Sequence, residues 1–300
     1  MISQVQRKPL VSIYIPTRNR PELVLRALQS ALAQDYPHVE IIVAVDGPDP
    51  ATESVLRPFA EDPRVVVHVR EQPGGACRAR NDALSRATGE LATGLDDDDE
   101  LLPEHVSTLV DTLQMAGAGF ACTSTVLRRP DGAVVRHAWS GPVELDRLLA
   151  ENLVGNQVLT RTRHLLDVGG YDADMPAWQD YDLWVRLTAR FGAGIRVDAR
   201  TYQQDARHAA PRISQADNIW RAYERFVAKH ALLLEARHRT SLELLAYATT
   251  HRPFPLKRLA AYFAAGYGAR ALAALASDRL PALRTPLRRL RAKLARRGAS

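Results

Sequence analysis

Cysteine is almost absent from this chain: two residues in 300, Cys77 and Cys122. Two thiols without a paired spacing supply neither a disulfide framework nor a thiolate metal cage, and both read as small buried residues of a reducing compartment. Long apolar runs are missing too. A membrane span needs roughly 18 consecutive apolar residues, and the nearest candidate, 256–276, carries Lys257, Arg258 and Arg270, so it reads as packed helix. The opening MISQVQRKPLVSIYIP has no cationic start followed by a continuous apolar core, so no signal peptide is expected and a cytoplasmic location is. Aromatics are 6% of the chain and do not interleave with basic residues on one surface motif, which argues against nucleic-acid binding.

What is present is the composition of a folded protein, 46% hydrophobic and 25% charged. The length suits one large domain or a domain with an appendage. The formal charge of +6 is uneven: residues 217–300 hold 17 Lys/Arg against 5 Asp/Glu, and residues 1–216 hold 23 against 29. A boundary near 215 is expected, with a basic part beyond it. Within that part 281–300 has seven basic and no acidic residues, and Leu283, Leu287, Leu290 and Leu294 fall on one helical stripe. Such a segment suits an anionic membrane surface, a partner, or its own domain.

Periodicity orders the rest. Residues 10–16, 39–45, 64–69 and 90–95 read as buried strands, and the segments between them as helices, with Pro21 near the start of the first and Asn19 as its cap. This alternation predicts a mainly parallel sheet covered by helices, with ligands beyond the carboxyl ends of the strands. Three polar clusters stand at such ends: Thr17-Arg18-Asn19, Asp46, and Asp96 to Asp99. PDG at 130–132 marks a hairpin, residues 178–192 a helix against the core, 195–204 a strand, and everything beyond 217 helix, with one continuous helix expected over 255–276.

The stretch 94-GLDDDDELLP-103 is the least ordinary. Adjacent carboxylates repel, and beside a core they need a partner or a cation. As a strand continuation it would turn Asp96 and Asp98 to one side, a pair able to hold Mg2+ or Mn2+ against a departing phosphate.

The segments VSIYIPTRNRPELVLRALQSALAQDYPHVEIIVAVDG and GGACRARNDALSRATGELATGLDDDDELLPEH, followed at 168–187 by VGGYDADMPAWQDYDLWVRL, resemble the family 2 glycosyltransferases of GT-A fold. The resemblance implies an α/β GT-A domain over 1–215, with a mainly parallel Rossmann-like sheet flanked by helices. About 1–118 would bind nucleotide sugar and about 119–215 would form the acceptor side, before a basic helical extension over 216–300. It implies that Pro16, Thr17 and Arg18 touch base and ribose, and that Asp46 contacts the base. Val45 stands where the family's Asp-Asp-Gly pattern has its first carboxylate, which leaves the choice between uridine and thymidine open, UDP-sugar being favoured. Arg80 and Asn81 match the Ala-Arg-Asn segment near the diphosphate. Asp98 would be the metal ligand and Asp96 would face the ribose or share the ion. Asp97 takes the variable middle position on the donor side, and Asp99 supports.

Asp180 matches the family's general base, with Gln179 replacing the usual glutamate. Trp178 and Gln179 would face the acceptor, Trp178 by stacking on a sugar unless it packs in the core. His208 matches a late histidine near the metal or diphosphate, in a segment with Arg207, Arg212 and Ser214 that could form a lid. Asp182 reads as unconnected with the site. One base opposite one leaving group implies inversion at the anomeric carbon. Neither a membrane span nor the glutamine-rich motif of processive synthases is present, so one sugar at a time is expected. The acceptor would be a glycan or lipid-linked glycan at the inner face of a membrane. A nucleotidyltransferase or a non-catalytic nucleotide-sugar-binding subunit are the alternatives. The first lacks its Gly-rich, cationic signature at 16-PTRNRPE-22, and the pair Asp98 and Asp180 opposes the second.

Overall fold

The computed structural model describes residues 8–130, 132–155, 157–206, 216–250 and 252–279. His208, the lid segment around it and 281–300 lie outside the described residues.

The first part runs β1 (Val11–Thr17), α1 (Pro21–Leu32), β2 (Val39–Val45), α2 (Pro50–Leu56), β3 (Val65–Val69), α3 (Ala76–Arg86) and β4 (Leu91–Gly94). Every residue of β1 is buried, as a continuous apolar run in a sheet covered on both faces should be. Alternation divides its side chains: Ile13 and Ile15 join one core, Tyr14 the other. Proline opens α1, where its missing N–H costs nothing, and Val24, Ala27, Leu28 and Ala31 bury its inner face. Asn19 is not the cap. Arg20 holds that position, while Asn19 sits in the left-handed region at φ 53 and gives its amide to Asp49 Oδ2 at 2.6 Å.

The middle part runs β5 (Glu100–Leu101), α4 (His105–Ala116), β6 (Phe120–Arg129), β7 (Gly132–Arg136), β8 (Gly141–Val143), α5 (Leu145–Ala150), β9 (Leu159–Arg161), α6 (Thr162–Asp167), α7 (Gln179–Phe191) and β10 (Gly194–Asp205). The sheet order is β3-β2-β1-β4-β9-β6-β10-β5, with β7 beside β6 and β8 beside β10. The first four strands are parallel, as expected. Beyond them the sheet is mixed, because β9 enters antiparallel to both β4 and β6. The β6–β7 hairpin forms where PDG placed it.

The last part is helical: α8 (Ala216–Lys229), α9 (Ala236–Thr250), α10 (Leu259–Ala264) and α11 (Gly268–Arg279). The continuous helix expected over 255–276 is broken at Gly266, whose φ of 82 a helix cannot continue through.

Candidate active site

The carboxyl ends of β1, β2 and β4 bring the three polar clusters to one edge. Thr17 Oγ1 donates to Asp97 Oδ2 at 2.8 Å, joining the end of β1 to the aspartate run. Arg20 Nη1 lies 2.9 Å from Asp97 and 3.5 Å from Asp98. Arg18 stands 3.9 Å from Asp46, and Pro16 lies inside β1, in register with Ala44.

The aspartates do not continue the strand. Asp99 N donates to Asp96 O at 3.0 Å, so the four residues form a turn and strand alternation does not set their directions. The turn gives each carboxylate its own surroundings: Asp96 meets Arg80, Asp97 meets Thr17 and Arg20, Asp98 is half-buried beside Arg20, and Asp99 is buried. Asp99 accepts from Tyr202 Oη at 2.9 Å and from the Asp205 amide at 3.0 Å. Burial, with the charges of Asp96 and Asp98 behind it, holds the Asp99 carboxyl well above the usual range. Burial, then Asp96 and Asp97, pushes Asp98 up to about 6 despite Arg20.

Arg80, on α3, is almost fully buried. Its Nη2 donates to Asp96 Oδ1 at 2.7 Å, its guanidinium lies 5.1 Å from the centre of the Tyr171 ring, and its Nε has no protein partner. Asn81 beside it is committed differently. Its amide donates to Tyr171 O and accepts from Tyr171 N, each at 2.8 Å, and so clamps the segment around Tyr171 to α3. Asp46 is also engaged: the amides of Gly74 and Gly75 donate to it at 2.7 and 2.8 Å, and Arg70 Nη1 at 2.7 Å. Burial alone would raise its carboxyl, but these donors outweigh it and hold it below the usual range.

Asp180 lies in the first turn of α7, after Trp178 and Gln179. The residue is half-buried, yet its Oδ1 is enclosed and has no hydrogen-bond partner. Burial raises its carboxyl to about 7. Arg80 opposes that rise and Asp96 adds to it, so the three charges act on one another. Trp178 is half-buried and caps α7 with a left-handed backbone, φ 61. Its ring packs edge-on against Tyr181 at 6.0 Å and Phe226 at 5.8 Å.

Several residues of this site carried no sequence signal. Tyr14 and Tyr171 share a hydrogen bond of 2.8 Å, and Gln157 lies 3.4 Å from both hydroxyls and from Asp96 Oδ1. Gly94 makes room for this floor: a Cβ there would meet Gln157 Oε1 at 2.1 Å. Asp182 points away from this cluster: it is fully buried and accepts from Arg186 at 2.7 Å, Lys229 at 3.0 Å and His230 at 2.9 Å.

The residues suit a divalent cation. Oxygen donors are the chemistry Mg2+ and Mn2+ prefer, and the Asp98 carboxyl, raised first by burial and then by Asp96 and Asp97, would be favoured in its ionised form by such an ion. Among the described residues no three His, Cys, Asp or Glu side chains form a cage. The ion would therefore rest on one or two carboxylates and take other ligands from a diphosphate, as Mg2+ commonly does.

Comparison with known proteins places this edge in context. The sequence model of glycosyl transferase family 2 matches residues 12–165. WcaA of Escherichia coli (strain K12), a glycosyl transferase provisionally assigned to colanic acid biosynthesis, is 31% identical over 238 residues, 75% of this chain and 83% of its own. Among solved structures, S. aureus TarS 1–349 in complex with UDP-GlcNAc matches with a TM-score of 0.61 at 17% identity, over 90% of this chain and 91% of that one. The mannosyltransferase PcManGT from Pyrobaculum calidifontis, in complex with GDP-Man and Mn2+, matches with a TM-score of 0.56 at 18% identity, over 92% and 88%. At such identities the two structures speak for the fold.

Proposed function

The chain belongs to glycosyl transferase family 2, and from that premise we propose that it moves a sugar from a nucleoside diphosphate, UDP favoured, to a hydroxyl of a glycan or lipid-linked glycan, with Asp180 as general base and inversion at the anomeric carbon. The observation that carries this is the enclosed, partnerless Oδ1 of Asp180 beside the part-buried Arg80–Asp96 pair.

An acceptor hydroxyl has a high pKa and must lose its proton as it attacks. A carboxylate held near 7 by burial is matched to that task at neutral pH. The departing diphosphate needs positive charge. Arg80 brings its guanidinium charge to Asp96, and Arg20 stands beside Asp98. Mg2+ or Mn2+ held by Asp98, with Asp96 alongside, would supply Lewis-acid stabilisation of the leaving group. Thr17, Arg18 and Asp46 line the nucleoside end. There Asp46 acts through the 70–75 loop it holds, because its carboxylate is already satisfied by Arg70 and two amides. The TarS and PcManGT structures, bound to UDP-GlcNAc and to GDP-Man with Mn2+, support a nucleotide-sugar donor and a metal. The family match leaves nucleotidyl transfer without support.

No helix among the described residues is long and apolar enough to cross a membrane. In this reading a lipid-linked acceptor would be met at the inner face of the membrane, with the basic segment 281–300 as the contact. Calorimetry of UDP with and without Mn2+ tests the donor side. Mn2+ should tighten binding at least tenfold in the wild type and not in Asp98→Ala. Binding that ignores the metal in the wild type would refute its role. Hydrolysis of a panel of UDP-, GDP- and dTDP-sugars identifies the donor.

A further inference from the structure

The helical extension is not a separate appendage: α8 grips the segment that carries Asp180. Phe226 of α8 packs on Trp178 at 5.8 Å and on Tyr181 at 4.7 Å, the two aromatic residues that bracket Gln179 and Asp180. Lys229 Nζ donates to Asp182 Oδ2 at 3.0 Å and to Asp172 Oδ2 at 2.7 Å, and His230 Nε2 donates to Asp182 Oδ1 at 2.9 Å. Asp182 in turn gives its amide to Trp178 O at 2.9 Å, which closes the first turn of α7.

That turn is strained. A left-handed backbone at a bulky L-residue costs about 1–2 kcal/mol, and such a conformation persists only where its surroundings over-determine it. Trp178 at φ 61 is such a residue, two positions before Asp180. Contacts from α8 reinforce it: a ring on its ring, and a cation and an imidazole that join Arg186 of α7 on the Asp182 carboxylate at the other end of its turn. Asp180 makes no bond through Oδ1 that would fix its own direction.

We propose that α8 is the positioning element of the general base, with Lys229 as a positioning residue that fixes the first turn of α7 and thereby the aim of the Asp180 carboxylate. The proposal rests on Asp180 as the base. Lys229 touches neither donor nor metal site, so its loss should leave donor binding intact and slow the chemical step alone. A misplacement of about 1 Å at a reacting group can cost up to a hundredfold in rate.

The test is steady-state turnover and donor affinity on the full chain, well below its melting temperature, for Lys229→Met, Lys229→Arg and Asp180→Asn. Lys229→Met should lower kcat about tenfold to a hundredfold with donor Kd within about twofold of wild type. Lys229→Arg, which keeps the cation, should recover most of the rate. Wild-type kcat in Lys229→Met, equal losses of kcat and donor affinity, or an Arg variant as slow as the Met variant would each overturn the proposal. Wild-type turnover in Asp180→Asn would instead refute the base assignment, and that result is read separately.

Discussion

Arg80 and Asp96 form a part-buried ion pair, Nη2 to Oδ1 at 2.7 Å, in which the arginine keeps one nitrogen, Nε, without a protein partner. Nη2 neutralises the first aspartate of the run, while Nε is enclosed. Replacing the arginine by an uncharged residue leaves Asp96 beside Asp97 and Asp98 with less to offset them. Arg80→Gln should therefore destabilise the fold by about 1–3 kcal/mol, the cost of leaving a part-buried charged group without its hydrogen-bond partner, as read by urea unfolding. It should also weaken UDP binding. Arg80→Lys restores charge but not the fork, and should recover stability better than donor affinity.

Asp180 sets a pH dependence. Its carboxyl, raised to about 7 chiefly by burial, must be ionised to accept a proton. Below that value kcat/KM should fall about tenfold per pH unit, and above it the rate should level off. A profile measured from pH 5 to 9 checks this, with donor affinity measured at each pH to separate binding from chemistry.

Asp182 sets a different one, in stability. Burial alone would raise its carboxyl, but His230, Arg186 and Lys229 outweigh burial and hold it at about 2, below the ordinary 3.8. A carboxyl depressed in the folded state contributes stability that is complete above the unfolded value and is lost as pH falls through the folded one. The loss should therefore run from about pH 4 down to about pH 2 and amount to about 2 kcal/mol. Asp182→Asn should remove that acid-sensitive part, as read by chemical unfolding at pH 7 and pH 3.

Gly94→Ala tests the floor of the site. The added Cβ would meet Gln157 Oε1 at 2.1 Å and Tyr14 at 2.7 Å, so Gln157 must move away from Asp96. Overpacking of this kind costs about 1–3 kcal/mol. Melting temperature and UDP affinity should fall together in this variant.

The edge of the sheet was legible in the sequence because its cause is local. Apolar strands that end abruptly in Thr17, Asp46 and Asp96 need no distant partner to be seen, and parallel pairing then lines them up. The direction of each aspartate was not legible. It is set by Thr17, Arg80 and Tyr202, which lie in other elements, and by the turn that Asp99 closes. Asp182 points away from Asp180, as its spacing implies, but its partners Lys229 and His230 lie on a helix 47 and 48 residues further on and were not legible. Gln157 had no periodicity to mark it. Its place depends on the missing side chain of Gly94. Asn19 has the composition of a cap, yet its amide is taken by Asp49 from the next crossover.

Asp180→Asn tests the central claim most directly. The amide keeps the shape of the carboxylate and cannot take a proton, so nucleotide-sugar affinity by calorimetry should match the wild type while turnover of the accepted nucleotide sugar falls by about a thousandfold, within the range general-base catalysis supplies. Turnover at the wild-type rate in that variant would contradict the account.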